Sequence, residues 1–287
     1  MRSITNKIAL MLVIALFVSF AAISAASYYT AESKVVDLVV QNQDQILKDV
    51  KTVANSFFDD FTATVQRFAT KVEKSLDYDE QILKVVVGEK SQANASVGDV
   101  FFGREADGHH FQSTGKILTP EADNYDPRKR GWYLAAKAAN KPIYTEPYID
   151  AINKTLVVTF ATPVYKDGKF IGVAGRDVLV DALSKKILEM GKTKYGYVFL
   201  INKEGTILMH SNTQNIGKVV ESTKVVSERF ANKEFDKNGL VPYTNSKGEN
   251  VQAKILPIND EDWLAVASIG ANTFSDNTIP LLKAQLV

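Results

Sequence analysis

Apolar and polar positions follow three successive patterns along the chain. Residues 8–26 are almost wholly apolar, and no charged side chain occurs between Lys7 and Glu32. At about 1.5 Å per helical residue such a run crosses a hydrocarbon core of roughly 30 Å, so it predicts a membrane-spanning helix. Over residues 33–76 the apolar positions Ile46, Val50, Val53, Phe57, Phe61, Val65, Phe68 and Val72 recur at steps of three and four, with neither proline nor glycine between them. That period belongs to one long amphipathic helix, which continues the span outward as a stalk. Its apolar stripe needs a partner, either the globular part of the same chain or the same helix of a second copy. Residues 78–87 predict a second, shorter helix.

After Gly88 the helical period gives way to short β-rich runs, each followed by a turn dipeptide. Residues 100–102 precede Asp107 and Gly108, and residues 155–165 precede Asp167 and Gly168. Residues 195–201 precede Glu204 and Gly205, and residues 241–244 precede Lys247 and Gly248. Four hairpin-like units follow. They form two sets, 97–178 and 195–269, each a strand–turn–strand unit, an insertion, and a second such unit. The expectation is an α+β fold: a duplicated module of about five antiparallel strands with helices on one face, beside the long helix. Residues 271–287 return to helical character, with Leu281, Leu282 and Leu286 apolar.

The predicted segmentation is therefore a cytoplasmic N-terminus and transmembrane helix at 1–30, stalk and second helix at 31–90, a membrane-distal module at 91–190 and a membrane-proximal module at 191–270. Residues 271–287 form a terminal helix leading towards a second span, so the chain is expected to be the outer part of a longer protein with a cytoplasmic half. Arg2 and Lys7 flank the short end of the span. The positive-inside rule then keeps the N-terminus in the cytoplasm and places the bulk of the chain in the periplasm, anchored in the inner membrane. Ser24, Ala25 and Ala26 also offer small residues to a signal peptidase, but the apolar run exceeds an ordinary signal core and a helix follows it directly.

Composition narrows the function classes. With 34 basic against 33 acidic residues the net charge is +1, which gives no electrostatic reason to expect nucleic acid. Cysteine is absent, which excludes a disulfide framework, a thiol nucleophile and thiolate-bound zinc. His109 and His110 adjoin the Asp107–Gly108 turn; adjacent strand residues point to opposite faces, so they are poorly placed to share a metal and read as surface residues flanking the turn. No Gly-x-Ser-x-Gly or phosphate-binding glycine loop occurs, so neither enzyme activity, cofactor nor metal is expected.

One stretch has the composition of a binding site. Residues 125–133 place Tyr125, Trp132 and Tyr133 among Arg128, Lys129 and Arg130, beside Pro127, which stops any preceding helix. An arginine fork matches a carboxylate in two parallel hydrogen bonds, and the aromatics add rigid apolar faces with polar tips. The alternative is a loop-to-helix junction whose aromatics pack into the core and whose cations face water.

Taken with the chain's organisation, these residues resemble the double-Cache (dCache) sensor domains of bacterial methyl-accepting chemotaxis proteins, with two PAS-like modules. The likeness is to the subset that binds amino acids. That subset carries a tyrosine, an Arg-x-Trp-Tyr run, a further tyrosine and an aspartate; here they are Tyr125, Arg130, Trp132, Tyr133, Tyr148 and Asp177. The resemblance implies that Tyr125, Arg130 and Trp132 hold a ligand carboxylate and that Tyr133, Tyr148 and Asp177 meet its ammonium, with Asp150 a second ammonium partner. It further implies a homodimer through the stalk helix and cytoplasmic signalling partners for the missing half. The second module lacks an Arg-x-Trp-Tyr run, so it reads as a spacer or coupler, with Trp263 anchoring a core strand. Other readings are the same sensor on a histidine kinase or cyclic-dinucleotide enzyme, a sensor of a simple carboxylate such as lactate, or an anchored binding module without signalling.

Overall fold

The computed structural model describes residues 4–75, 78–93, 95–193, 195–258, 262–270 and 273. Its first element, α1 (Ile4–Lys74), is one unbroken helix of 71 residues that carries both the apolar segment and the stalk. At about 1.5 Å per residue it is roughly 105 Å long. The segment near its N-terminus is long and apolar enough to cross a membrane, and none of it is buried against the rest of the chain. Beyond it the helix turns one face inward: Val39, Leu47, Val50, Ala54, Phe58, Phe61, Val65, Phe68 and Val72 are all buried. The phase is slightly rotated from the predicted stripe, because Leu47, Ala54 and Phe58 take the centre of the face while Ile46, Val53 and Phe57 are only half-buried. In the run Val53, Ala54, Phe57, Phe58 either phase keeps the helical period, and packing decides between them.

The second helix, α2 (Asp79–Ser91), begins one residue later than predicted and runs one turn further. A sheet follows, made of β1 (Val97–Arg104), β2 (His110–Gln112), β3 (Ile117–Leu118), β4 (Ile143–Tyr144), β5 (Tyr148–Ile149), β6 (Leu156–Lys166) and β7 (Lys169–Leu179). Its order is β3-β2-β1-β7-β6-β4, with β5 also pairing β6, and every pairing is antiparallel. Between β3 and β4 lie α3 (Pro120–Asp123), a short 3-10 turn at Pro127–Lys129, and α4 (Gly131–Ala139). After α5 (Val180–Gly191) comes a five-stranded antiparallel sheet in the order β10-β11-β12-β8-β9. Its strands are β8 (Gly196–Asn202), β9 (Ile207–Met209), β10 (Val241–Thr244), β11 (Asn250–Ile258) and β12 (Trp263–Ile269), with α6 (Glu221–Ala231) between β9 and β10. All four predicted hairpins are present. The predicted terminal helix at 271–287 lies, apart from Thr273, outside the described residues.

The expectation of helices on one face is corrected: both sheets are covered on both faces. In the first sheet Val100, Phe102, Val158, Phe160, Ala174 and Val178 pack into the cluster built on α1. The alternate residues Phe101, Ala161 and Val173 pack instead with Trp132, Tyr133 and Ala136 of α4. The second sheet divides likewise, with Leu200, Ala265 and Ala267 towards α1 and Phe199, Ile201 and Val266 towards Val226 of α6. This is the period of two expected of strands buried on both sides.

Phe58 sits where the helix and the two sheets meet. Its ring lies 4.7 Å from Tyr144 and 5.7 Å from Phe160 of the first sheet, and 4.9 Å edge-on from Trp263 of the second. Trp263 is 2% exposed, which places it in the core strand foreseen for it. A hydrogen bond of 2.6 Å from Asn202 Nδ2 to Glu146 Oε1 ties the sheets at their rims. Replacing Phe58 by Ala would open a cavity at this junction and should cost about 3–5 kcal/mol of unfolding free energy, whereas Val53→Ala should cost under about 1 kcal/mol. Denaturant titration of the two variants measures both; equal losses would mean that the buried face is the predicted stripe after all.

Candidate ligand-binding site

Local turn chemistry positions the aromatic–cationic stretch. Thr119 caps α3 by accepting the backbone N–H of Ala122, and Asn124 turns the chain in the left-handed region at φ 50°. Asp126 then caps the 3-10 turn, accepting from the Arg128 backbone N–H at 3.0 Å and from its Nε at 2.9 Å. Pro127 fits the first position of that turn, where no N–H is needed. Arg130 follows in extended conformation as the N-cap of α4, so its side chain leaves the chain where the helix begins. Tyr125 and Arg130 are thereby brought together, with the guanidinium 5.7 Å above the phenol ring.

The next turn of α4 divides its two aromatics. Trp132 is 4% exposed and packs 4.8 Å from Phe101, with its indole beside Tyr125, where it opposes the burial-driven rise of the phenol. Phe101 in turn lies against Gly175, where any Cβ would collide with the ring. Tyr133 goes elsewhere. Its ring packs against Gly103 and Phe170, and its hydroxyl donates to Glu105 Oε2 at 2.7 Å, which also binds Lys137 through Oε1. The expectation that Tyr133 offers its hydroxyl to an ammonium beside Asp177 is corrected on that ground: the group is committed to Glu105.

Opposite Arg130 lies an acidic side. Asp177 of β7 is 2% exposed and receives the Thr159 hydroxyl at 2.5 Å; that hydroxyl lies 2.7 Å from the Tyr148 hydroxyl, so Tyr148 donates to it in a relay. Burial, with smaller contributions from Asp150 and Asp99, pushes the Asp177 carboxyl up to about 8, against the opposing Thr159 bond. Asp150 is also buried, but Oδ1 is used by its own turn, accepting from the backbone of Ile152 at 3.0 Å and Asn153 at 2.6 Å. Both carboxylates bear on the Tyr125 and Tyr148 phenols, whose ionisation is pushed up first by burial and then by these charges. Tyr125, Arg130, Trp132, Tyr148, Asp150 and Asp177 therefore share one electrostatic environment. Among the described residues no carboxylate closes an ion pair with Arg130.

Two further residues belong here. His110, expected on the surface, is 1% exposed: its ring lies 4.8 Å from Tyr125, 5.1 Å from Phe101 and 6.1 Å from Trp132. Burial and the Arg130 charge push its basicity down to about 3, so it stands neutral, and its Nδ1 has no hydrogen-bond partner. The alternation that separated His109 from His110 already required one of the pair to face inward. Asp99 is the second, 3% exposed at an irregularity where β1 meets β7. It accepts from the Val100 N–H, the Ser113 hydroxyl and Gln112 Nε2, and burial still raises its carboxyl above the usual range.

A recess of about 180 Å³ lined by Pro120, Asn124, Tyr125, Asp126, Lys129 and Arg130 opens beside the arginine. A larger cavity, about 670 Å³, lies between α1, α2 and the hairpin ends around Arg104 and Lys166 and includes none of the predicted site residues. The smaller place is the one that includes residues of the predicted site, Tyr125 and Arg130, a cation beside an aromatic face.

The titration of Asp177 has a direct consequence for stability. In the unfolded chain its carboxyl loses its proton near pH ~4, whereas the folded protein holds it to about 8, so between those values the native state binds more protons. Stability from this group falls as pH rises through that window. His110 acts in the opposite sense but only below about pH 6.5, where the unfolded imidazole charges and the buried one does not. From about pH 6.5 to about pH 8 the wild type should lose about 1–2 kcal/mol relative to Asp177→Asn, which lacks the titrating group. Parallel unfolding curves for the two proteins across that range would contradict the buried, protonated carboxyl.

Comparison with known proteins identifies the family. The Cache domain family matches residues 24–277. The methyl-accepting chemotaxis protein PscA of Pseudomonas syringae pv. tomato is 34% identical over 174 residues, which covers 58% of this chain and 28% of PscA. The chain thus spans under a third of that relative's length. Among solved structures, the sensory domain of the Campylobacter jejuni chemoreceptor Tlp3 with isoleucine bound superposes with TM-score 0.66 at 19% identity, covering 85% of this chain and 98% of that one. The ligand-binding domain of the Pseudomonas aeruginosa chemoreceptor PctB with L-Gln gives 0.65 at 21%, covering 86% and 98%. The architecture of one long helix carrying two antiparallel sheets is shared with both, and the chain belongs to the Cache domain family.

Proposed function

We propose that this chain is the ligand-sensing region of a chemotaxis receptor and that its ligand is an amino acid. One observation carries the reading: an arginine without a carboxylate partner and a buried carboxylate without a counter-charge, among the described residues, stand in one aromatic-walled cluster. A free amino acid supplies both missing charges at once. Arg130 would take the carboxylate by a bidentate, charge-assisted pair, with Tyr125 and Trp132 alongside. Asp177 would take the ammonium, with Asp150 contributing its second oxygen and Tyr148 oriented through Thr159. Tyr133 supports the site from below by fixing α4 through Glu105. His110 and Asp99 complete the cationic and acidic sides as a neutral wall and a reserve of negative potential. The relatives support the class of ligand, since Tlp3 and PctB hold isoleucine and L-Gln in their respective structures.

The apolar start of α1 would anchor the chain in the inner membrane, with both sheets in the periplasm. A homodimer along the stalk and a cytoplasmic output complete the proposed receptor. The second sheet serves as the coupler between the sensing sheet and the membrane, because α1 lies along both.

Two measurements test the reading. Arg130→Ala should weaken an amino acid by about 2–5 kcal/mol in calorimetry, and unchanged affinity in a folded variant would sink the carboxylate role. The second compares an amino acid with its hydroxy-acid analogue on wild type and Asp177→Asn. Wild type should prefer the amino acid, and the variant should lose about 2–4 kcal/mol towards it while keeping or gaining affinity for the hydroxy acid. Equal weakening of both ligands would make Asp177 structural, and a wild-type preference for the hydroxy acid would mark a sensor of simple carboxylates.

A further inference from the structure

On the opposite face of the sensing sheet lies a second charged cavity that the amino-acid site does not use. It measures about 350 Å³ and is lined by Asp60, Arg67 and Lys71 of α1, Glu89 of α2 and Arg176 of β7. Arg176 immediately precedes Asp177, and strand alternation sends the two side chains to opposite faces. The guanidinium is 4% exposed, yet its Nε has no hydrogen-bond partner. Its nearest carboxylate, Glu89 Oε1, stands 3.7 Å from one terminal nitrogen, while the other Glu89 oxygen is held by Lys71 at 2.6 Å. Burial pushes the Arg176 ionisation down; Glu89 and Asp60 oppose this, and the neighbouring Arg67 adds to it. Among the described residues Arg67 itself bonds only the neutral hydroxyl of Thr64, at 2.8 Å.

Two guanidinium groups thus face one cavity with a single, shared carboxylate in reach of the buried one. A buried arginine with an unmet donor and a like-charged neighbour is costly unless an anion joins it. The three cations of the lining outnumber its two carboxylates. We infer that this cavity is a binding site for a small oxyanion, sulfate or phosphate, held between Arg176 and Arg67 with Lys71 at its edge. The planar forks of the two arginines match the oxygens of such an ion, and the volume admits it with water to spare. An occupant would bridge the stalk helix to the strand that carries Asp177.

The test uses the full chain in detergent micelles, titrated calorimetrically with sulfate and, separately, with phosphate in low-salt buffer. Wild type should bind about one ion per chain with a saturating isotherm, and Arg67→Gln and Arg176→Gln should each weaken it at least about tenfold. Arg67 is solvent-exposed, so its variant decides the matter even if Arg176→Gln does not fold. Asp177→Asn, on the other face, should leave oxyanion affinity unchanged, which separates this site from the amino-acid site whatever the latter binds. Absence of a saturating isotherm in wild type, or undiminished binding by Arg67→Gln, would overturn the inference.

Discussion

The burial of one helical stripe is the constraint on which the rest of this structure depends. A helix as long as α1 has no tertiary support of its own, and an isolated amphipathic face of that length would not stay in water. Both sheets are laid on it, so a single buried cluster runs from Leu47 to Val72 and takes in strands of each. The sheets meet one another chiefly where the helix brings them together, at Phe58, Tyr144 and Trp263. The helix whose start is long and apolar enough to cross a membrane is therefore the same helix that forms the back wall of the first sheet. A displacement at that sheet has a continuous backbone hydrogen-bond ladder along which to travel.

The front of the sheet is built on the opposite principle, with polar groups buried, hydrogen-bonded to one another, and one of them, His110 Nδ1, without a partner among the described residues. Thr159, Asp177, Gln112, Asp99 and His110 all lie on the face turned to α4, while their neighbours Val100, Phe111, Val158, Phe160 and Val178 are apolar and turned to α1. The low-dielectric surroundings raise both carboxyls, that of Asp177 to about 8, and make the imidazole reject its proton. Such groups lower stability unless a ligand uses them, which is the expected signature of a binding site rather than of a core.

Much of this was legible in the sequence. The helix, the four hairpins and the separation into two sheets followed from spacing and turn dipeptides, because those signals are local and each has a steric cause. The phase of the helix was less legible: the doublets around Val53–Ala54 and Phe57–Phe58 satisfy two faces equally, and only the aromatic rings of three other elements choose between them. The fate of Tyr133 could not be read from its place in the motif, since it hinges on Glu105, distant in sequence and brought near by the hairpin. His110 was readable and misjudged: a turn-adjacent position suggests exposure, but strand alternation outweighed it. Asp99 gave no local signal at all, because its burial follows from the pairing of β1 with β7.

The central claim is that Asp177 gives up a proton in order to pair with the ligand's ammonium, and proton release upon binding tests it most directly. Calorimetric titration of an amino acid in two buffers of different ionisation enthalpy, at about pH 7, counts the protons exchanged. With the carboxyl protonated to about 8 in the empty site, nearly one proton should leave per amino acid bound, and Asp177→Asn should abolish the release. A binding enthalpy in the wild type that does not depend on the buffer would contradict the account.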